Sequence, residues 1–187
     1  MIFKTLRVTV SALAVTFGSA AYAEKAPDAV NPIVPSLSEL GTNATLIKSV
    51  QEHNAKGLTL EAIQARDAEW RKVDGMDAQM TEMTQNAAAQ ALLEFEKSQP
   101  YFFELFLMGN QGANIAMTNK TSDYWQGDEA KWQKSFNNGT GAVQIGDVEF
   151  DESAQAYLVQ VSVPVMDGGQ AIGAITIGIN LDELEAQ

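Results

Sequence analysis

The first half of the chain carries apolar residues at the spacing of helices, separated by capping and turn residues. Ser36 and Glu39 have the spacing of a capping box, and Gly41 and Asn43 weaken the segment that follows. We therefore expect a first helix that is interrupted in its middle. The pattern as a whole predicts three helices, which begin at Ser36, Thr59 and Asp77 and end near Gly57, Trp70 to Lys72, and Phe95.

The third of these helices carries a stripe rich in methionine and alanine: Met80, Met83, Ala87, Ala91 and Leu92. Such a stripe is far more often a core face or a helix–helix contact than a cofactor site. We expect it to pack against a sheet. Pairing of the stripe with a second copy of the chain or with a receptor is the alternative.

After Pro100 the pattern changes to that of strands. The run Phe102–Met108 is almost continuously apolar, as in a central strand covered on both faces. Glycine- and asparagine-rich turns separate the segments that follow. The pattern predicts further strands at 115–118, 143–150, 157–165 and 171–181, with a short helix at 128–136.

Alternation along the last two strands assigns their faces. Odd positions from 157 to 165 are Tyr or Val, and Ile175, Ile177 and Ile179 share one face of the last strand. The opposite face carries small and polar residues. It is either a solvent-facing sheet or the floor of a cavity, and glycine and alanine there leave room for a ligand.

These elements predict an α+β fold, with N-terminal helices packed on a central antiparallel sheet of about five strands. About 160 residues after the first 23 suffice for one core. We expect a single domain over 36–187, with a helical part at 36–99 and a sheet with an inserted loop at 100–181. Residues 24–35 contain three prolines and predict an extended leader.

The N-terminus has the features of an export signal. Lys4 and Arg7 precede an apolar run, and Ala21-Tyr22-Ala23 forms a small-x-small cleavage site. We expect residues 1–23 to be a signal peptide and the mature protein to be periplasmic. The absence of cysteine is compatible with that compartment and excludes disulfides and Cys-ligated zinc.

The formal charge of the chain is −12. An acidic surface argues against nucleic acid and anionic lipid as partners.

Four segments together resemble the Cache (PDC, PAS-like) family of extracellular sensor domains. Two of them, the strand with Val163-Pro164-Val165 and the Gly168–Gly178 segment, are fairly specific in combination. The others surround the aromatic loop, which we define as Asn119–Trp132. The quoted segments are 106–118, 121–132, 157–165 and 168–178.

The resemblance implies a non-enzymatic module that binds a small polar metabolite, carboxylate or amino-acid-like, between sheet and loop. Most members belong to receptors or kinases with membrane helices. This chain departs from them, with one sensor unit and only Asp182–Gln187 after the last strand. We therefore expect it to signal through a partner, such as a membrane-bound receptor or kinase, or to carry its ligand. Homodimerisation through the N-terminal helices remains open.

The candidate ligand-binding residues lie in the aromatic loop and on the strands beside it. Aromatic rings can pack a ligand's apolar part, and a lysine can pair with a carboxylate. Tyr157 lies at the odd, apolar positions of its strand, so we first expect it to pack in the core. Family members often use the position of Thr118 to bind ligand. The candidates are Thr118, Tyr124, Trp125, Lys131, Trp132, Tyr157, Gln160 and Ser162.

An enzymatic site is not supported by the sequence. His53 is the only histidine, and no motif of a nucleophile elbow, zinc protease or phosphate loop occurs. The aspartates at 123, 128, 147 and 151 lack the spacing of an EF-hand. We expect no catalytic residues, no cofactor and no metal site.

Overall fold

The computed structural model describes residues 24–152 and 154–187. The signal peptide expected at 1–23 lies outside these residues. Seven α-helices surround the described sheet: α1 Val34–Leu40, α2 Ala44–Asn54, α3 Leu60–Trp70, α4 Ala78–Met83, α5 Ala87–Glu96, α6 Ala130–Phe136 and α7 Leu181–Glu185. Within the described ranges, none of the helices has the length and apolar character needed to span a membrane.

The sheet is antiparallel and has six strands in the order β1-β4-β5-β6-β2-β3. The predicted α+β fold is confirmed. The strand beyond the expected five is a two-residue edge, in which Glu24 pairs with Val148. The strands are β1 Glu24–Lys25, β2 Phe102–Met108, β3 Asn114–Met117, β4 Gln144–Asp151, β5 Ala156–Asp167 and β6 Gln170–Asn180.

The predicted leader is only partly extended. Asp28–Ile33 forms a 3₁₀ helix that contains Pro32, and Val30 is fully buried. Pro35 occupies the first turn of α1. Backbone N–H groups in the first turn make no hydrogen bond within the helix, so the lack of an N–H in proline has no cost there. Burial of Val30 therefore gives this proline-rich segment a fixed place against the core.

Two of the predicted helices differ from those in the structure. The capping box at Ser36 is wrong, because α1 already begins at Val34 and the Ser36 hydroxyl donates to the Ile33 carbonyl (2.7 Å). The long third helix is also wrong as a continuous element. Its second half is the separate helix α5, because the Asn86 side chain accepts from the Ala89 N–H (2.9 Å) and starts a new helix. The predicted caps at Thr59 and Asp77 are confirmed.

One face of the sheet packs against the helices in the way the alternation predicts. The odd-numbered valines of β5 and the isoleucines of β6 join Leu92 of α5 and Leu46 of α2 in one buried cluster. Tyr157 is the exception. It is 54% exposed and packs edge-on against Phe150, itself 51% exposed, at the turn end of the β4–β5 hairpin. Its predicted packing in the core is therefore wrong, because this end of the hairpin remains open to solvent.

The opposite face of the sheet carries a second apolar cluster. Phe106 and Met108 of β2 meet Trp70 of α3, Met80 of α4 and Tyr124 of the aromatic loop. The methionine–alanine stripe is thus divided between two cores, since Leu92 and the neighbouring alanines face the first cluster. The aromatic loop is consequently enclosed between α3 and the sheet.

Helix α3 fixes the aromatic loop through one buried carboxylate. Asp67 accepts the backbone N–H groups of Tyr124 (2.9 Å) and Trp125 (3.0 Å). Arg71, one turn later, pairs with Asp67 (2.8 Å) and with Asp123 (3.1 Å). A carboxylate that accepts two N–H groups and an ion pair is held in one position, so the loop is fixed to the helix.

Further bonds hold the start of the same loop. The Trp70 indole N–H donates to the Thr121 carbonyl (2.9 Å). The Lys120 ammonium donates to the carbonyls of Val73 (2.7 Å) and Gly75 (2.8 Å). The turn after α3 and the aromatic loop therefore form one connected unit.

We expect Asn86→Ala to lower the free energy of unfolding by about 1–2 kcal/mol, because it removes a helix cap. The same side chain also donates to the Ile115 carbonyl (3.0 Å), which would lose its partner. Urea denaturation would measure the change, with Gln85→Ala, an exposed neighbour, as control. Equal stability of the two variants would contradict this role of Asn86.

We expect Asp67→Ala to destabilise the protein by about 2 kcal/mol or more, because two N–H donors of the loop lose their acceptor. The control is Glu69→Ala on the exposed side of α3. Hydrogen exchange measured by NMR would show faster exchange at Tyr124 and Trp125. Unchanged protection of those two amides would refute the anchoring role.

Candidate functional site

A polar cavity of about 310 Å³ lies between the sheet and the aromatic loop, and we call it the sheet–loop cavity. It occurs where the small and polar face of the sheet predicted a floor. A neighbouring depression shares Lys131 and Gln160 with it and opens towards β4. The residues that line the sheet–loop cavity are Glu104, Phe106, Lys120, Thr121, Ser122, Gln126, Lys131, Asp151 and Gln160.

The floor is built across three adjacent strands. Gln160 of β5 is opposite Gly178 of β6, and Glu104 lies on the next strand, β2. A Cβ atom at Gly178 would come within 2.9 Å of the Glu104 Cγ atom. Glycine at this position therefore lets Glu104 cross β6 and accept a hydrogen bond from the Gln160 amide (3.2 Å).

Burial dominates the electrostatics of this floor. It raises the pKa of Glu104 above its usual range, while the hydrogen bond from Gln160 acts in the opposite direction. A carboxylate in this setting is stabilised by any cation or strong donor that enters the cavity.

Lys131 supplies a positive charge from helix α6. Its ammonium lies 5.3 Å from the centre of the Phe106 ring and 2.9 Å from a carboxylate oxygen of Glu129. The side chain is only 19% exposed. The lysine therefore extends over the floor instead of into solvent, as the prediction of an anion-binding lysine requires.

Gln126 presents a buried acceptor without a partner. The residue is 1% exposed, and its side-chain N–H donates to the Asp123 carbonyl (3.0 Å). Within residues 24–152 and 154–187, nothing donates a hydrogen bond to its Oε1 atom. Buried polar atoms in proteins are nearly always paired. An unpaired acceptor in the wall of a polar cavity is therefore a place for a donor group of a ligand or for water.

The aromatic residues of the loop have structural partners. The indole N–H of Trp125 donates to the Gln111 carbonyl (2.8 Å), and that of Trp132 to the Gly109 carbonyl (3.0 Å). Tyr124 is 3% exposed and packs on Trp70 with 5.6 Å between ring centres. These three residues hold the β2–β3 turn and α3 against the loop, and they do not line the sheet–loop cavity.

The remaining predicted residues lie at different distances from this cavity. The Thr118 hydroxyl accepts the Leu105 N–H (3.0 Å) at the edge of the sheet. Ser162 is fully buried and shares a hydrogen bond with Thr176 (2.8 Å). Tyr157 is exposed on the hairpin. Of the predicted ligand residues, the structure brings Lys131 and Gln160 together in the cavity.

Sequence reasoning missed Glu104 and Gln126 as wall residues. Glu104 is the only charged residue in the otherwise apolar run Phe102–Met108, and that exception was the available signal. No pattern along the chain marks Gln126, because its burial depends on contacts across the loop. In the described part of the chain, no group of three or more histidine or carboxylate side chains is placed to hold a metal ion.

Comparison with solved structures gives distant similarities. The V. cholerae histidine kinase DctB sensor domain is 14% identical (TM-score 0.42), with 84% of this chain and 54% of that chain covered. The P. aeruginosa amino acid chemoreceptor PctC in complex with GABA is 16% identical (0.43; 84% and 64%). The P. fluorescens chemoreceptor CtaA in complex with L-serine is 11% identical (0.39; 83% and 61%). This chain thus spans less than two thirds of each.

Comparison with curated protein sequences gives no match. Residues 61–186, from the start of α3 to α7, match the family model described as methyl-accepting chemotaxis protein-like, first PDC sensor domain. This match covers more than half of the chain and includes the aromatic loop and the whole sheet–loop cavity. The resemblance to PDC sensor domains is confirmed. The chain therefore belongs to the family of methyl-accepting chemotaxis protein-like, first PDC sensor domains.

Proposed function

We propose that this protein is a periplasmic sensor module that reversibly binds a small, amino-acid-like metabolite in the sheet–loop cavity. Membership of a sensor-domain family supports this role. The volume of about 310 Å³ lies at the lower end of the range for small-molecule sites. A non-enzymatic role is part of the proposal.

The presence of a lysine, Lys131, and a carboxyl group, Glu104, in the lining of one cavity is the observation that carries the proposal. A zwitterionic ligand would place its carboxylate at Lys131, which would turn from Glu129, and its ammonium group at Glu104. The unpaired Oε1 atom of Gln126 would accept one ammonium N–H. Charge-assisted hydrogen bonds of this kind are about twice as strong as neutral ones.

The other predicted residues would act by holding the cavity in shape. Trp125 and Trp132 fix the β2–β3 turn, and Tyr124 fixes α3, so substitution there would disturb binding indirectly.

The same contacts offer a route for the signal. A ligand that draws Gln126 and Lys131 together would pull on the loop, and through Asp67 on helix α3. A membrane-bound receptor or kinase is the partner that we propose for this output.

The alternative role was a ligand-free interaction through the methionine–alanine stripe. Met80, Met83 and Leu92 are at most 3% exposed in the folded chain. Their apolar surface is used within the protein, so no observation favours this alternative. Homodimerisation through other parts of the N-terminal helices stays a prediction.

A thermal-shift screen of the purified protein against amino acids, short carboxylates and amines tests the proposal. A ligand at 100 times its dissociation constant adds about 2.7 kcal/mol of stability, which raises the melting temperature by several degrees. Calorimetric titration of the best ligand should show at least about tenfold weaker binding for Lys131→Met, because a charge-assisted hydrogen bond is lost. Lys48→Met, an exposed lysine on α2, is the control.

Absence of any stabilising compound, or equal affinity of Lys131→Met and the unmodified protein, would contradict the proposed site.

The pH dependence of stability should reveal the burial of Glu104. Its pKa is raised in the folded protein, so ionisation opposes folding. Below the pKa of the unfolded chain both states are protonated. As the pH rises from about 4.5, the ordinary pKa of a glutamate, through the higher pKa of Glu104 in the folded protein, this contribution to stability is lost. Glu104→Gln should therefore gain stability relative to the unmodified protein between pH 4 and pH 7.

Chemical denaturation at the two pH values measures this difference. Glu94→Gln, exposed on α5, should show no such trend. The same Glu104→Gln substitution should weaken binding of an ammonium-bearing ligand. If the stability of Glu104→Gln fell with rising pH relative to that of the unmodified protein, the inferred environment of Glu104 would be refuted.

A further inference from the structure

A second cavity, of about 270 Å³, lies on the other side of the aromatic loop, and we call it the helix cavity. Its walls come from α2, α4, the start of α5 and β3. It shares no lining residue with the sheet–loop cavity. The buried floor consists of Met83, Asn114, Ile115 and Tyr124.

Asn114 gives this floor an unpaired acceptor. The residue is fully buried, and its side-chain N–H₂ donates to the Thr121 hydroxyl (2.9 Å) and the Asp123 carbonyl (3.0 Å). Thr121 and Asp123 do not line the helix cavity, so the Oδ1 atom, on the other side of the amide, is directed away from them. This atom accepts no hydrogen bond from the residues that the structure describes. A buried acceptor of this kind requires a donor.

No polar group among the described residues supplies that donor. The Asn86 amide donates to the Ile115 carbonyl (3.0 Å), and its oxygen accepts from the Ala89 N–H (2.9 Å). Met83 and Ile115 supply apolar surface to the same floor. Water or a ligand in the cavity would therefore supply the missing donor.

The charge around the cavity has a negative balance. Glu52 and Glu82 line it together with Lys56. Burial lowers the pKa of His53 to about 4, so its imidazole is neutral at physiological pH. Two carboxylates and one ammonium line the cavity, and Glu52 is also paired with the exposed Lys48 (3.8 Å), so Glu82 is the main attraction for a cation.

We infer that the helix cavity is a second ligand site, which takes a small primary ammonium compound with a short apolar body. The ammonium group donates to Asn114 Oδ1 and is attracted by the carboxylates of Glu82 and Glu52. The hydrocarbon part packs on Met83 and Ile115. This site shares no lining residue with the sheet–loop cavity, and the inference does not rest on the ligand proposed for that cavity.

Methyl-labelled methionine makes this inference testable, because Met83 is the one methionine among the residues that line either cavity. The protein would be labelled with ¹³C-methyl methionine, and the Met83 resonance assigned with Met83→Leu. Titration with propylammonium chloride should shift the Met83 methyl signal saturably. Sodium propionate, of similar size and opposite charge, should leave it unchanged. Absence of a saturable shift, or an equal response to propionate, overturns the inference.

Substitutions in the wall separate this site from other binding. Ala87 is exposed and lines the cavity at the start of α5, so Ala87→Phe should fill the space and abolish the shift. Gln90→Phe, exposed on the same helix and outside the lining, should leave it intact. Glu82→Gln should weaken propylammonium binding about fivefold, the effect of one exposed charge pair.

Lys131→Met should leave the Met83 response unchanged, because Lys131 belongs to the sheet–loop cavity. Persistence of the full shift in Ala87→Phe would refute the site, whatever the outcome for the sheet–loop cavity.

Discussion

The arrangement of this protein depends on the two hydrogen bonds that the Asp67 carboxylate accepts from consecutive backbone N–H groups of the aromatic loop. Without that acceptor, Tyr124 and Trp125 would have buried donors without partners, an unfavourable situation for any loop. With it, the loop becomes a wall between two cavities. Arg71 reinforces the carboxylate, although its own half-exposed guanidinium makes this ionic contribution sensitive to salt.

The sheet provides the second constraint, because its two faces are used for different purposes. The valines and isoleucines of β5 and β6 bury one face under α2 and α5 and supply the apolar contacts that stabilise the domain. The other face carries the second apolar cluster, with Phe106 and Met108, and the small and polar residues around Gly178 that form the floor of the sheet–loop cavity. Separation of the two roles lets polar groups such as Glu104 remain buried at the site while the core compensates for their desolvation.

Much of the fold could be predicted from the sequence, since alternation in β5 and β6 and the caps at Thr59 and Asp77 are local signals. The break between α4 and α5 was missed, because the continuous apolar spacing across Asn86 concealed its role as the N-cap of a new helix. The candidate site was less predictable from the sequence than the fold. The predicted residues Lys131 and Gln160 line the candidate cavity, whereas Glu104, which was not predicted, reaches it only by crossing a glycine on a neighbouring strand. The predicted core packing of Tyr157 was wrong, because alternation along a strand specifies the face on which a side chain lies but not whether a helix covers that face.

The carbonyl of Asp123 has a consequence for how the two sides of the loop communicate. It accepts hydrogen bonds from the amides of Asn114 and Gln126 and from the Thr121 hydroxyl. Each amide leaves an unpaired oxygen beside a different cavity. A molecule that repositions one amide must therefore change the bond to a carbonyl that the other amide shares. Occupancy on the two sides would then be thermodynamically linked, and such heterotropic coupling is reciprocal: whatever one ligand does to the affinity of the other is returned in equal measure.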